Sequence, residues 1–196
     1  MRLTDLTPDT VAYVVSRMRA ADREEIYATR WSDDPARVVA DCMALASFSW
    51  VAWHDAKPCA VGGAAAVQPG VFSVYLFATD DFPKIALSVT RFARRDGMRA
   101  LFKSVGARRL QCDSHINHVE AHRWLQGNGF LAEGIRRAYG KDGSDFIHYA
   151  LCRADWVDKH DNTCYSDADG RTSRRSSLSP VPDTSESHVR PDALPG

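Results

Sequence analysis

Hydrophobic positions in this chain follow two periods, and the switches between them mark out the elements. Val71 to Phe77 (VFSVYLF) is apolar and β-branched or aromatic almost throughout, as in a strand buried on both faces, and it stops at Ala78-Thr79-Asp80-Asp81. Beyond a helical run, Arg109 to Cys112 forms a second short strand, and His118 to Gln126 a helix ended by Gly127-Asn128-Gly129. Phe130 then re-enters the core. Upstream, Arg2 to Thr7 reads as a first strand, and Thr7-Pro8-Asp9 starts a helix whose Val11, Val14, Val15 and Met18 recur at helical spacing. Asp22, with Glu25 three residues on, predicts a second helix opened by a capping box. The same word could line a ligand cleft, but capping chemistry already accounts for it. A third helix runs from Pro35 to about Ala46. Phe48 to His54 and Pro58 to Val67 are antiparallel strands around the turn Asp55-Ala56-Lys57-Pro58, and they feed the central strand.

Two further segments have patterns that need interpretation. Ile85, Val89 and Phe92 share one helical face, whereas Met98, Phe102 and Val105 share nearly the opposite one, so Asp96-Gly97 is expected to divide the run into helices over 83–95 and 98–105. Arg136 to Arg153 reads as a hairpin: RRAYG, a Lys141-Asp142-Gly143-Ser144 turn, then DFIHYALCR, with Phe146, Ile147, Tyr149 and Leu151 completing the core. From about Asp155 aliphatic residues almost vanish after Val157, and the Ser-, Asp-, Arg- and Pro-rich remainder is expected to be a disordered tail. Ser173 to Ser179 (SRRSSLS) within it carries no functional signal beyond low complexity. The expected organisation is one α+β domain over 1–154 and a tail over 155–196.

Composition narrows the function classes. A chain of 196 residues, 44% hydrophobic, supports one substantial core. Lysines plus arginines number 25, as do aspartates plus glutamates, so whole-chain charge argues neither for nor against a polyanionic partner. No apolar run nears the ~18 residues of a membrane span, and MRLTDLTPD has no signal-peptide core, so synthesis in a cytoplasm is the expectation. The five cysteines (Cys42, Cys59, Cys112, Cys152, Cys164) are odd in number, lack a Cys-x-x-Cys pair and read as reduced thiols.

Candidate chemistry is sparse. Gly62-Gly63 lacks the Gly-x-Gly-x-x-Gly spacing and precedes no helix, so it reads as a bulge or a tightly packed strand rather than a nucleotide loop. His118 and His122 are spaced i,i+4 beside Asp113 and His115, but the zincin pattern needs Glu directly after the first His, and Val119 stands there. No metal site is expected. Arg91, Arg94, Arg95, Arg99 and Lys103, with Arg108 and Arg109 beyond, form a basic cluster without interleaved aromatics. A solvated face is the better reading, with nucleic acid or an acidic protein surface as the other.

The words ATDDF, NH, WLQGNGF and YGKDGSDF, with MRAADREEI upstream, resemble the GNAT (N-acetyltransferase) family over about Leu3 to Arg153, and within it the GNAT-like proteins of short-tailed phages, including their internal virion proteins. The resemblance implies a single acyl-CoA N-acyltransferase fold with a mixed central sheet, a virion location and other virion proteins as partners. In working members a Gly-rich loop after the central strand holds the coenzyme A pyrophosphate on backbone N–H groups. Here that loop is Thr79-Asp80-Asp81-Phe82-Pro83-Lys84, with no glycine, one proline and two carboxylates, of which Asp80 or Asp81 is expected to act as an N-cap. The family's Tyr, a general acid toward the coenzyme thiolate, aligns with Leu125, beside Trp124, and its Asn with His118, one residue after Asn117. Tyr139 in the hairpin reads as cross-strand packing. The resulting expectation is an internal-virion-type structural or accessory protein that has lost acetyl transfer, with no catalytic residue and no cofactor. The alternative is an acetyl-CoA-dependent N-acetyltransferase whose cofactor contacts would come from Phe77, Thr79 and Asn117.

Overall fold

The computed structural model describes residues 1–156; 157–196, with Cys164, SRRSSLS and nearly all of the expected tail, lies outside the described residues. In chain order the elements are β1 (Arg2–Thr4), α1 (Pro8–Val15), α2 (Ala20–Ala28), α3 (Pro35–Leu45), β2 (Ala46–His54), β3 (Lys57–Gln68), β4 (Val71–Ala78), α4 (Ala86–Phe92), β5 (Arg109–His115), α5 (Val119–Gly127), β6 (Leu131–Arg136) and β7 (Phe146–Cys152). They form an α+β domain on one seven-stranded mixed sheet of order β1-β2-β3-β4-β5-β7-β6. Every pairing is antiparallel except β4 with β5.

Strand alternation divides the core between the two faces. Val51, Val61 and Phe77 pack with Val11, Val14 and Val38 of α1 and α3. Their neighbours Ala52, Ala60 and Ala78 pack with Ile85 and Val89 at the start of α4. Farther along the same face, Phe72 and Leu110 meet Phe102, Leu125 and Tyr149. β4 therefore reads as a nearly continuous apolar run because both of its faces are covered.

Local chemistry explains most boundaries. Thr7 caps α1, exchanging hydrogen bonds with Thr10, and Pro8 occupies the first turn. Asp55 and Ala56 turn β2 into β3 at φ of 45° and 64°, the left-handed pair of a tight hairpin. Gly62 and Gly63 pair with Trp50 and Ser49 in unbroken register, so no bulge lies there. They are small because a Cβ would sit 2.3 Å from the Trp50 ring and 2.7 Å from the Tyr75 hydroxyl.

Several expectations need correction. The run after β4 does not break at Asp96-Gly97: α4 continues through π-type turns at Ala93–Gly97 and Ala100–Ser104. Each such turn advances the helix out of its 3.6-residue phase, which is why the apolar face switches sides without a break. Asp22 is not an N-cap; Arg19 holds that position and Asp22 lies inside α2. Asp81 precedes a short 3₁₀ turn at Phe82–Lys84 but makes no capping bond, its carboxylate binding Lys84 Nζ at 2.6 Å instead. The hairpin partner of β7 is Leu131–Arg136 rather than RRAYG. This β6 is an edge strand exposed almost throughout, with a bulge between Ala132 and Gly134, so it shows no apolar alternation. Tyr139 sits in the following loop and packs edge-on against Phe146, 5.6 Å away. Trp156 packs at a tilt against the Phe102 ring, with centroids 5.2 Å apart.

Candidate functional site: the cleft between β4 and β5

The parallel strands β4 and β5 pair over three residue pairs only, from Val71↔Arg109 to Ser73↔Gln111. Beyond them β4 stays with β3 and β5 with β7, and the two part. The splay opens a cleft of about 720 Å³. Phe48, Trp50, Tyr75, Phe92 and Trp124 supply apolar wall, and Arg19, Asp22, Glu25, Ser114 and His118 a polar patch. The Tyr75 hydroxyl is the one buried side-chain polar atom among the described residues without a hydrogen-bond partner, and burial pushes its pKa up.

α2 builds the polar patch. Ile26 turns one face of this helix toward the domain, and Asp22, four residues earlier, shares that face, with Glu25 beside it. Asp22, 2% exposed, receives the Arg19 guanidinium on both oxygens, at 2.7 and 3.0 Å, and its Oδ2 also accepts the Ala78 N–H of β4 at 2.7 Å. Arg19 in turn donates its own N–H to the Ala78 carbonyl and lays its guanidinium over the Phe82 ring. One helical turn on, Glu25 Oε2 accepts the Ser114 hydroxyl at 2.8 Å, the His115 N–H of β5 at 2.8 Å and a bond from His118 Nδ1 at 3.0 Å. The two acids therefore bridge the splay, each holding a main-chain N–H of one strand.

Their titration follows from these contacts. Burial raises the Asp22 pKa against the pull of Arg19. Burial also opposes ionisation of Glu25, but the His118 bond and charge, Ser114 and the His115 N–H outweigh it, so the carboxyl ionises below its ordinary range. For His118 burial acts downward, and Glu25 and Asp22 outweigh it, so the imidazole keeps its proton to higher pH than usual. His122 is lowered, first by burial, and its Nε2 binds the His115 carbonyl at 3.0 Å.

The loop after β4 uses several of its donors within its own turn. The N–H groups of Phe82, Lys84 and Ile85 are taken by the carbonyls of Thr79, Asp81 and Phe82, and Pro83 has none. Leu125 is buried in the core, and the Trp124 indole N–H binds Thr90 Oγ1 at 2.8 Å, tying α5 to α4. Of the residues assigned to a cofactor in the enzyme alternative, Phe77 is buried against α1 and α3 but reaches the cleft lining. Thr79 is buried with its hydroxyl on Cys59 Sγ, and Asn117 is exposed with its N–H on His115 Nδ1.

The other sequence candidates separate. Asp113 joins not the cleft cluster but an ion network with Arg136 and His148, at 2.8 and 2.7 Å. Among the described residues no group of three or more His, Cys, Asp or Glu is placed to hold a metal. Cys42, Cys59, Cys112 and Cys152 are free thiols. In the basic cluster Arg94 holds Asn128 and the Gly127 carbonyl, Arg95 holds Asp96, Arg108 the Pro69 carbonyl and Arg109 Glu133. No described helix is long and apolar enough to cross a membrane. Sequence reading assigned Asp22 and Glu25 to capping and passed over Ser114. The available signal was the Ile26 face, which turns Asp22 inward.

No protein-family model matches the sequence, and no curated protein matches it. Solved structures do match the fold. One is described as a candidate acetyltransferase, with a TM-score of 0.64 and 14% identity over 79% of this chain and 84% of that one. Another is AAC(6')-Ib in complex with ribostamycin and coenzyme A, at 0.61 and 17% over 82% and 97%. A third is the ribosomal-protein-S18-alanine N-acetyltransferase of Escherichia coli, at 0.57 and 18% over 77% and 92%. At such identities the likeness establishes architecture, and the architecture of this chain is the GNAT fold.

Proposed function

We propose that this chain is a GNAT-fold accessory protein of the internal virion kind that does not transfer acetyl groups from coenzyme A. The observation that carries the loss of activity is the state of the cleft's main-chain donors. Asp22 holds Ala78 N–H, Glu25 holds His115 N–H, and the loop N–H groups at Phe82, Lys84 and Ile85 are spent on carbonyls of the same turn. A pyrophosphate arriving there would meet Asp80 and Asp81 instead of a cradle of donors, with repulsion of about 1 kcal/mol per close like-charged pair in water and more in a cleft. The virion role rests on the resemblance of MRAADREEI, ATDDF and WLQGNGF to phage proteins, and other virion proteins are then its partners. Titration calorimetry with acetyl-CoA at near-physiological salt tests the first half: no saturable heat is expected below millimolar ligand, and a micromolar Kd would overturn it. Mass spectrometry of purified virions tests the second.

A second reading, an acetyl-CoA-dependent N-acetyltransferase, has specific support of its own. The matching structures include proteins named as acetyltransferases, one holding coenzyme A, and the β4–β5 splay with its 720 Å³ cleft is large enough for a ligand. In that reading Phe77, Thr79 and Asn117 carry the cofactor contacts, and α2 must yield its hold on Ala78 and His115. The same calorimetric titration separates the two readings.

A further inference from the structure

We propose that a proton on His118 is the latch that holds α2 to the ends of β4 and β5 beside this cleft. His118 is 8% exposed at the head of α5, with Nδ1 3.0 Å from Glu25 Oε2 and Nε2 3.6 Å from Asp22 Oδ1. The doubly protonated ring turns an N–H toward each carboxylate. A neutral ring has one N–H and must aim a lone pair at the other acid. Charge gives the same result: Arg19 and His118 balance Asp22 and Glu25, and loss of the imidazole proton leaves a net negative charge in a buried cluster.

The remaining groups around the cluster do not replace that proton. On β5, His115 accepts the Asn117 N–H at Nδ1 and turns Nε2 toward the exposed Glu24, 3.8 Å away. Cys112, also on β5, has its pKa raised by burial and by the Glu25 charge, and remains a neutral thiol. On α5, His122 is biased toward the neutral form and bonded to the His115 carbonyl. On α2, Arg19 is committed to Asp22, and β4 meets the cluster with the Ala78 backbone.

α2 is the element suited to move. Its buried residues are Asp22 and Ala28, and Ile26 and Tyr27 pack only in part against the core, so the polar contacts of Asp22 and Glu25 carry much of its attachment. When it lifts, the N–H groups of Ala78 and His115 are released together. The direction with pH follows from linkage. Glu25 and Asp22 raise His118 on folding, so its contribution to the latch is complete below the unfolded imidazole pKa of about 6.5 and is lost as pH rises through the higher folded value.

Hydrogen exchange of the full chain, followed amide by amide by NMR from pH 6 to 8.5 and corrected for intrinsic exchange, reads the latch. The Ala78 and His115 amides are expected to lose protection by about threefold or more, at the same midpoint as the His118 ring signal, while the Val61 amide in the β2–β3–β4 core stays unchanged. His118→Gln is expected to exchange fast at both amides across the range, and His122→Gln to keep the wild-type profile. Protection independent of pH, a midpoint displaced from the His118 titration, or a profile that survives His118→Gln would each overturn the latch. The midpoint comparison uses wild-type protein alone and holds even if a variant fails to fold.

Discussion

Two pairs of acids stand near the end of β4, and they do opposite things. Asp22 and Glu25 reach in from α2, are largely removed from water, and together accept four donors from β4, β5 and α5 besides the Arg19 guanidinium. Asp80 and Asp81 stand just beyond β4, and the Asp81 side chain, 45% exposed, has Lys84 as its partner. Residue type does not separate the pairs, since each is two carboxylates beside a basic residue. Burial and the number of donors do: a carboxylate in low dielectric must be satisfied, and once satisfied it fixes its neighbours, whereas an exposed one interacts weakly through water.

The comparison is most easily broken at Asp22. Asp22→Ala strands a half-buried guanidinium and an unpaired Ala78 N–H, so a loss of about 3 kcal/mol is expected in urea denaturation; a loss under about 1 kcal/mol would mean the Asp22 pair does no more than the exposed one. Glu25 comes next. Glu25→Gln keeps the shape but weakens three charge-assisted bonds, for an expected loss of about 1–3 kcal/mol near neutral pH. Because Glu25 is depressed on folding, its stabilisation is present above the unfolded carboxyl pKa and disappears as pH falls through the folded one, so the acid limb of the wild-type stability curve should flatten in this variant. An unchanged acid limb would place the titration elsewhere. The smallest effect belongs to the exposed pair: Asp80→Asn with Asp81→Asn should leave the thermal midpoint unchanged within error. A clear drop would show that the loop acids, too, are structural.

The sequence alone determined the features that local physics controls. A run buried on both faces has to be apolar throughout, so β4 was legible, as were the glycine stop after α5 and the Thr7-Pro8 start of α1. The order of elements that resembles the GNAT family followed from these, and the absence of glycine from Thr79 to Lys84 is read directly off the residues. What failed locally failed for one reason: the deciding partner was distant in the chain. β6 gave no signal because an edge strand open to water on both faces has no period to show. The π-type turns looked like a helix break because a phase shift and a break leave the same apolar pattern. Asp22 and Glu25 looked like caps because their spacing satisfies capping chemistry. Only the tertiary structure, which brings Ala78 from 56 residues away and His115 from 90, made them the bridge across the splay. The charge and spacing of a carboxylate are written in the sequence, but its environment is not, and in a low-dielectric cleft the environment determines what it does.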